Sequence, residues 1–311
     1  MNKGDFNFAI MVNPISGNIF VDRLIEYRLR PTLVITHDPF YTPSKSSSMD
    51  KIRFVKTYTK YLLNKEQFHH QYYTFFKSRK YKIPTFPSQI VNTARCANLL
   101  KSLNLDYIFI FTFPIIRDFI FTIPKYGTIN FHPSLLPKHR GADPEFWTIK
   151  NKDKYSGMTF HYIDKGIDTG RIIAQFKIQV SQFDDSSTLS DHIFSVGVRK
   201  YMELIYKLKL GVPIKCIFKN DFEPSYEKPV RKSARYVCSD MESHDILHLV
   251  GACKKYGLAL LSIQCNEFKV MDGIVLESLP LLFKDGVTID ESQNIYYKTS
   301  DGKLLYLITE G

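Results

Sequence analysis

The sequence predicts an α/β fold, in which a mostly parallel sheet covered by helices is followed by a smaller β-rich region. Two observations lead to this prediction. Apolar runs of strand length alternate with amphipathic segments over roughly the first two thirds of the chain, and short strand-like runs crowd the end. Strands that alternate with helices pair in parallel, whereas short and closely spaced strands form small barrels or sandwiches.

The N-terminal alternation begins with a strand-helix-strand unit over residues 6–36. Its first apolar run ends in a turn cluster, and the β-branched run 32–36 closes the unit after a helical segment. Repetition of this pattern predicts a Rossmann-like sheet. The predicted strands are 6–12, 32–36, 107–111, 127–131 and 158–163, and the predicted helices are 19–30, 90–103 and 187–209.

Residues 42–82 interrupt the alternation with a basic and aromatic stretch. It holds 10 Lys or Arg residues against Asp50 and Glu66, with Tyr and Phe interleaved. Such a pattern can bind a phosphorylated ligand or single-stranded nucleic acid. The alternative is a helical insertion with solvated charges and aromatic rings packed on the sheet. We favour the insertion, because only some of the charges could face one ligand.

The pattern changes near Gly211, which predicts three parts of the chain. These are a large domain over 1–210, a linker over 211–237 and a small β-rich, barrel-like C-terminal domain over 238–311. The C-terminal domain combines a predicted helix with closely spaced strands. The helix is 244–254, and the strands are 258–264, 268–271, 274–279, 295–298 and 304–308.

Charge is distributed unevenly along the chain, whose net charge is +11. Residues 238–311 hold 6 Lys/Arg and 11 Asp/Glu, a balance of −5, so residues 1–237 hold 36 basic and 20 acidic side chains, or +16. A surface that binds nucleic acid needs clustered basic groups, because contacts with phosphates supply most of the affinity. The C-terminal region therefore has the wrong sign for that role.

The sequence also predicts the setting in which the protein acts. No apolar run reaches the roughly 18 residues of a membrane span, and residues 1–8 lack the apolar centre of a signal peptide. The five cysteines are widely spaced and never adopt the paired spacing of a zinc site. We therefore expect a cytoplasmic protein with reduced cysteines, no membrane partner and no metal.

Two short motifs carry the chemical information. In the first, a strand ends with Asn130 and His132 two positions apart, so that both side chains lie on one face. Ligand sites in open α/β sheets lie at the carboxyl ends of strands, which suits a binding site better than a core. The second motif is the triplet Asp168-Thr169-Gly170.

Together these motifs resemble the 10-formyltetrahydrofolate-dependent formyltransferase family. The family includes methionyl-tRNA formyltransferases, glycinamide ribonucleotide transformylases and sugar N-formyltransferases. The resemblance covers roughly residues 5–205 in organisation and is specific over 124–173. It implies an enzyme whose formyltransferase domain is 1–210. The residues that carry it are Asn130, His132, the turn 134–137, Arg140, Gly141 and the triplet 168–170.

The resemblance implies that Asn130, His132 and Asp168 form the catalytic set, and each residue type suits formyl transfer to an amine. The Asn130 amide can donate to the oxyanion that forms when the amine attacks the formyl carbon. An imidazole such as His132 can donate to the same oxyanion or carry a proton between the nitrogens. The Asp168 carboxylate can hold the imidazole, directly or through water.

The implied formyl donor is 10-formyltetrahydrofolate, and two loop segments are expected to hold it. Loop backbone can hydrogen-bond a pterin edge while apolar side chains cover its ring. Many family members carry Gly where Phe113 stands, so this pocket departs from the family pattern. For Ile115 and Ile116, core packing is the alternative to lining the pocket. The expected contacts are Phe113, Pro114, Ile115, Ile116, Ile163, Asp164 and Gly166.

The expected acceptor is a primary amine, with Ser134, Arg140 and Gly141 on its side of the site. A nucleotide-linked amino sugar is favoured, because its diphosphate suits the basic body of the chain. Methionyl-tRNA is the less favoured alternative, because the C-terminal region is acidic and residues 143–147 look more like members that do not act on tRNA. Asp143, Glu145 and His161 could also crowd the acceptor side, although exposed loop charge is the favoured interpretation for Asp143 and Glu145.

Two further alternatives stay open. The amine could belong to an aminoacyl group on a carrier protein. A protein of another class, which binds folate without turnover, would share the fold but not the chemistry, and it is disfavoured because all three catalytic residue types are present.

Overall fold

The computed structural model describes residues 6–15, 17–41, 48–216, 223–278 and 286–310. Parts of three sequence predictions lie outside these ranges. They are residues 42–47 of the basic stretch, residues 217–222 of the linker, and Leu279 at the end of a predicted strand.

The described chain alternates strands and helices before a run of consecutive strands. The strands are β1 (Phe8–Val12), β2 (Leu33–Thr36), β3 (Thr85–Pro87), β4 (Tyr107–Phe111), β5 (Thr128–His132), β6 (Arg140–Gly141), β7 (Tyr155–Tyr162), β8 (Ile172–Gln179), β9 (Tyr226–Glu227), β10 (Ala259–Ile263), β11 (Asn266–Leu276), β12 (Val287–Ile289), β13 (Ile295–Lys298) and β14 (Leu304–Thr309). The helices are α1 (Gly17–Glu26), α2 (Ser48–Leu63), α3 (Lys65–Gln71), α4 (Tyr73–Lys80), α5 (Ala94–Ser102), α6 (Asp118–Phe121), α7 (Pro144–Lys150), α8 (Ser186–Lys209) and α9 (Ser243–Cys253).

A seven-stranded sheet organises the first part of the fold, in the order β3-β2-β1-β4-β5-β7-β8. Strands β3, β2, β1, β4 and β5 run parallel, and β7 pairs with β5 in the antiparallel direction. Every residue of the central strands β1 and β4 is buried. Burial on both faces explains why these strands read as continuous apolar runs. The predicted α/β fold with a mostly parallel sheet is confirmed.

The strand order reverses between β1 and β4, where the chain crosses from one side of the sheet to the other. Ligands in open α/β sheets bind at such a switch point, outside the carboxyl ends of the strands. The segment that follows β4 starts at Thr112, which has a φ of 48°. A β-branched residue in this left-handed region is uncommon and marks backbone strain, which often occurs at ligand sites.

The C-terminal part is a five-stranded antiparallel sheet in the order β10-β11-β14-β13-β12. Helix α9 packs against β10 and β11. Two strands predicted at 268–271 and 274–279 are one strand, β11, with a shift of register between Val270 and Asp272. The predicted β-rich C-terminal region is confirmed.

The described residues form two compact units. The first consists of the residues up to His132 together with 159–175 and 196–216, and the second consists of 133–158, 176–195 and the residues from 223 onward. Each unit is therefore assembled from separate stretches of chain. The predicted domain division at residues 210 and 237 stays a prediction.

The basic, aromatic stretch forms helices α2, α3 and α4 in its described part. In α4, Thr74, Phe75 and Ser78 are buried, and the Thr74 hydroxyl donates to the carbonyl oxygen of Pro14 at 2.8 Å. The Phe75 ring meets Phe40 edge to face. Helix α4 is thus anchored in the first unit, in agreement with the helical insertion that we favour from the sequence.

Within the described ranges, no helix is both long enough and apolar enough to cross a membrane. All five cysteines are free.

Candidate active site

Strands β5 and β7 bring the first group of polar side chains together. Because the pair is antiparallel, Asn130 lies opposite His161, and His132 lies opposite Thr159. Opposite residues of neighbouring strands project from the same face of a sheet. The predicted pair Asn130 and His132 therefore shares its face with a second histidine, His161.

Asp168 completes this cluster from the loop that follows β7. Its Oδ2 atom lies 3.5 Å from Nδ1 of His132, and its Oδ1 atom lies 3.5 Å from Nε2 of His161. Both histidines are buried, with 4% and 1% of their surface exposed. The structure thus brings the three predicted catalytic residues together, and one carboxylate lies 3.5 Å from each of two imidazoles.

Local hydrogen bonds hold the loop that carries Asp168. The Asp164 carboxylate accepts from the Thr169 hydroxyl at 2.6 Å and from the Gly166 backbone N–H at 3.1 Å. A Cβ atom at Gly170 would collide with the carbonyl oxygen of Tyr162, so only glycine fits there. Asp168 itself has a φ of 51°, a conformation that Asp adopts more readily than most residues. Asp164 and Gly166 therefore have a demonstrable role in the turn, and their contact with folate stays a prediction.

The other predicted folate segment divides between core and surface. Ile116 is buried in the core cluster, against which the half-buried Phe113 and Ile163 pack. Ile115 is 76% exposed, and Pro114 is also exposed. Core packing, the alternative weighed for both isoleucines, therefore applies to Ile116 alone.

Asn92 fixes the backbone of that segment. Its amide nitrogen donates to the carbonyl oxygen of Ile115 at 3.0 Å, and its amide oxygen accepts from the Arg117 backbone N–H at 2.8 Å. The two bonds clamp the chain on either side of Ile116. Sequence reasoning missed Asn92, because nothing in its neighbourhood distinguishes it from an ordinary turn residue.

The predicted acceptor-side residues lie in the second unit and have clear structural contacts there. The Ser134 hydroxyl donates to the carbonyl oxygen of Lys138 at 2.7 Å. Arg140 and Gly141 form β6, which pairs with β9. Gly141 has a φ of 96°, and a Cβ atom there would collide with the Glu227 backbone. These contacts explain the residue types, and an acceptor-side role stays a prediction.

A third buried histidine, His139, lies in the same unit with only 3% of its surface exposed. Its Nε2 atom is 2.6 Å from Asp153 and its Nδ1 atom is 3.1 Å from Glu227. Lys138 also contacts Asp153, at 2.6 Å. Burial alone would raise the pKa of the Asp153 carboxyl, but hydrogen bonds from His139 and Lys138 outweigh it and hold the pKa below its usual value.

Glu145 corrects an expectation from the sequence. It is only 2% exposed, and its carboxylate accepts from Lys255 at 3.0 Å and from the Tyr256 hydroxyl at 3.1 Å. Asp143 is half-buried, and burial raises the pKa of its carboxyl. The expectation of exposed loop charges is therefore wrong, because helix α7 and a distant lysine and tyrosine enclose what reads locally as a polar loop.

One group of potential metal ligands occurs within the described ranges. Glu242, His244 and Asp245 place one donor atom each within 4.8 Å of one another. Asp245 already forms an ion pair with Lys152, and Glu242 and His244 are exposed. Exposed acidic groups often cluster in this way, so we assign no metal site to them.

Sequence reasoning places His161 only among residues that could crowd the acceptor side, and it misses the contacts of His161 with Asn130 and Asp168. The signal that could have found it is the alternation of polar Thr159 and His161 with apolar neighbours in β7, which matches the alternation in β5. The missing information was the antiparallel pairing of β5 with β7. Neither strand's own sequence shows which strand it pairs with.

Comparison with known proteins shows sequence similarity to formyltransferases. A sequence model of the family described as Formyl transferase matches residues 44–205. A methionyl-tRNA formyltransferase from Sulfurihydrogenibium sp. is 31% identical over 235 residues, which are 74% of this chain and 75% of that protein. Another from Pelotomaculum thermopropionicum is 30% identical over 228 residues, 71% of each protein.

Solved structures share the fold over nearly the whole chain. The N-formyltransferase from Helicobacter canadensis, solved with folinic acid and dTDP-3-aminofucose, has a TM-score of 0.65 at 18% identity and covers 97% of this chain and 99% of its own. The sugar 3N-formyl transferase WlaRD has a TM-score of 0.65 at 16% identity, with 98% of both chains covered. At these identities the likeness establishes the fold alone.

Proposed function

The chain belongs to the formyl transferase family of folate-dependent enzymes, and we propose on that basis that it transfers the formyl group of 10-formyltetrahydrofolate to a primary amine. The observation that carries the proposal is the cluster at the end of β5. There Asp168 lies 3.5 Å from His132, on the strand that also presents Asn130. An amide, an imidazole and a carboxylate are the groups that this reaction requires.

In the proposed reaction, the amine nitrogen attacks the formyl carbon and its electron pair forms the new C–N bond. The carbonyl oxygen becomes an oxyanion, which the Asn130 amide stabilises as a hydrogen-bond donor. The bond from the formyl carbon to the folate nitrogen then breaks, and that nitrogen keeps the electron pair. His132 carries the proton that the amine loses to the folate nitrogen, and Asp168 holds the imidazole.

The residues beside the cluster fit the formyl donor. A pterin ring needs apolar cover and backbone groups along its polar edge. Half-buried Phe113 and Ile163 and exposed Ile115 supply apolar surface at the end of β4 and β7, and the turn from Asp164 to Asp168 supplies backbone polar groups. We propose that these two segments hold the folate, with Pro114 and Gly166 completing the set, while Ile116 anchors its segment in the core.

For the acceptor we favour a nucleotide-linked amino sugar, with Ser134, Arg140 and Gly141 on its side of the site. Residues 1–237 carry a balance of +16, which suits a diphosphate, whereas residues 238–311 carry −5. The Helicobacter canadensis relative binds dTDP-3-aminofucose, and its fold extends over 97% of this chain. A small nucleotide-linked substrate places no demand on the acidic region.

Methionyl-tRNA is the second candidate, and a specific observation favours it. The curated relatives that are 30–31% identical over more than two thirds of the chain are methionyl-tRNA formyltransferases. Against it stands the acidic C-terminal region, because a surface that binds tRNA must neutralise phosphates.

A formyl-transfer assay tests the proposal. Purified protein is given 10-formyltetrahydrofolate with a panel of nucleotide-linked amino sugars and, in parallel, unformylated methionyl-tRNA, and the release of tetrahydrofolate is followed. We expect turnover with an amino sugar and little with the tRNA. Turnover with methionyl-tRNA alone would overturn the acceptor, and folate binding without turnover across amines, aminoacylated carrier proteins and tRNA would favour a non-catalytic folate-binding protein.

We also propose that the enzyme acts in the cytoplasm and that residues 1–210 form its formyltransferase domain. The five free cysteines agree with a reducing compartment. The folate segments and the catalytic cluster all fall within residues 1–210, so this division keeps the whole proposed reaction in one domain.

A further inference from the structure

We propose that His161 is a positioning residue for Asn130, whose amide it holds by accepting a hydrogen bond at Nε2 while its own proton resides on Nδ1. This inference rests on the proposed function, in which the Asn130 amide stabilises the oxyanion. It adds to the catalytic three a fourth residue that acts on the reaction only through Asn130.

The first step concerns the proton on His161. Its Nδ1 atom lies 2.9 Å from the carbonyl oxygen of Tyr162, its own neighbour on β7. A carbonyl oxygen can only accept a hydrogen bond, so Nδ1 must carry the proton of this pair. In a neutral imidazole the other nitrogen then has a free electron pair and acts as an acceptor.

The second step concerns what that acceptor meets. Nε2 of His161 lies 3.2 Å from the amide nitrogen of Asn130 and 3.5 Å from Oδ1 of Asp168. An electron pair on Nε2 attracts the NH2 group of the Asn130 amide. It repels the oxygen of that amide and Oδ1 of Asp168. If the Asn130 amide turned over, its oxygen would face the same electron pair. A neutral His161 therefore selects one of the two amide orientations, which side-chain shape alone does not distinguish.

The third step connects this orientation to the chemistry. The Asn130 amide nitrogen has two protons, and His161 binds one of them. The second stays available for an oxyanion, in an amide whose plane is now fixed. An oxyanion donor contributes most when it is already oriented before the reaction begins.

The surroundings of His161 define the competing arrangement. Asp168 faces His161, and so does the ring of His132, whose centroid is 6.3 Å away at an angle of 80°. A cationic His161 would donate from Nε2 to Asp168, and the Asn130 amide would turn its oxygen toward the ring. His161 is 1% exposed, so these neighbours and the Asn130 amide form its immediate polar surroundings.

Two substitutions separate the positioning role from a structural one. In His161→Gln, the longer amide places an acceptor near the position of Nε2, whereas in His161→Asn the shorter amide reaches only the position of Nδ1. Both variants are polar and smaller than histidine, so each is the control for the folding of the other. We expect the Asn variant to lose about tenfold to a hundredfold in kcat with little change in the KM for folate, and the Gln variant to recover most of the loss.

A double-mutant cycle tests the connection to Asn130. If His161 acts through that amide, His161→Asn has little further effect on kcat once Asn130 is replaced by Ala. Additive losses, or equal impairment of the Gln and Asn variants, would contradict the positioning role.

An NMR measurement on the full chain shows which nitrogen of His161 carries the proton, and it needs no catalytic turnover. With ¹⁵N-labelled histidine, and the His161 signals assigned by their absence from His161→Gln, we expect a protonated Nδ1 and an unprotonated Nε2 at neutral pH. A protonated Nε2 would overturn the inference. If the NMR result holds and no amine is formylated, the proposed function fails while the arrangement of His161 stands.

Discussion

Two clusters of buried histidines and acidic residues in this protein differ in how many carboxylates surround each ring. In the second unit, both nitrogens of His139 lie at hydrogen-bond distance from carboxylates, 2.6 Å from Asp153 and 3.1 Å from Glu227. In the first unit, the single carboxylate of Asp168 lies 3.5 Å from His132 and 3.5 Å from His161. The first arrangement places one ring between two acids, and in the second one acid lies near two rings.

The difference shows which cluster is suited to chemistry. Short contacts at both nitrogens fix the position of the His139 ring, so that loss of the ring would break a well-formed network. Contacts of 3.5 Å are at the limit of a hydrogen bond, and catalytic hydrogen bonds are often long until the substrate is bound. We therefore assign stability to the His139 cluster and proton movement to the Asp168 cluster.

The largest expected effect is on activity in the first cluster. Replacing His132 with Ala removes the proposed proton carrier, so we expect kcat to fall by about a hundredfold to ten-thousandfold. The thermal midpoint should stay close to that of the unsubstituted enzyme. Steady-state kinetics and a melting curve on the same sample check both parts, and a His132→Ala enzyme that keeps full activity would contradict the assignment.

The reverse outcome is expected for the second cluster. His139→Ala leaves Asp153 and Glu227 without the ring between them, which should reduce the free energy of unfolding by about 3 kcal/mol. Urea denaturation measures this loss. Turnover per folded molecule should change far less than in the His132 variant, and a stable protein with abolished turnover would mean that the roles of the two histidines are exchanged.

A smaller effect is expected at Glu145. In Glu145→Gln the side chain keeps its shape but loses the charge that Lys255 and Tyr256 contact, which should cost about 2 kcal/mol of unfolding free energy. The matched control is Glu310→Gln, which affects an ion pair with Lys269 whose side chains are 50% and 55% exposed. Exposed pairs contribute little, so the control should change stability by less than about 1 kcal/mol. Equal losses in both variants would refute the distinction.

The pH dependence of stability sharpens the account of the second cluster. Because the pKa of Asp153 is lower in the folded protein, its carboxylate stabilises the fold above the ordinary Asp pKa of 3.8. That contribution is lost as the pH falls through 3.8 toward the lower folded value. We expect the unfolding free energy of Asp153→Asn to change less than that of the unsubstituted protein between about pH 5 and pH 2. If the unfolding free energies of the two proteins changed equally with pH, the result would contradict this role of Asp153.

The smallest effects concern the cysteines. Burial raises the pKa of Cys96 to about 11 and that of Cys253 to about 12, so both are protonated and inert at neutral pH. Cys238 and Cys265 are exposed. A thiol reagent should label the exposed pair quickly and the buried pair only on unfolding, as mass spectrometry of the labelled peptides would show. Rapid labelling of Cys96 would mean that its helix opens readily.

The sequence predicts local features of this fold well, because the signals are local. Strand β4 matches its predicted bounds, and helix α8 begins one residue before the prediction. Helix α7 and strand β8 were missed. Helix α7 has only seven residues, and β8 is partly exposed along its length and lacks a continuous apolar run.

Long-range pairing explains what the sequence could not predict in the site. Asn130, His132 and Asp168 could be named from motifs, because their spacing along the chain carries the information. His161 joins them through the antiparallel pairing of β5 with β7, and the buried Glu145 carboxylate is bound by Lys255 and Tyr256, which lie more than a hundred residues away. Motifs record residue types, whereas burial depends on which distant segments meet.

The measurement that tests the central claim most directly is formyl transfer by the enzyme and by its Asp168→Asn variant. Both proteins are given 10-formyltetrahydrofolate and the same panel of amines, and their affinity for the folate is measured in parallel by calorimetry. The account predicts that the unsubstituted enzyme releases tetrahydrofolate and that the variant binds folate with unchanged affinity but loses at least about a hundredfold in kcat. A variant with full turnover would show that the chemistry takes place without the Asp168 cluster.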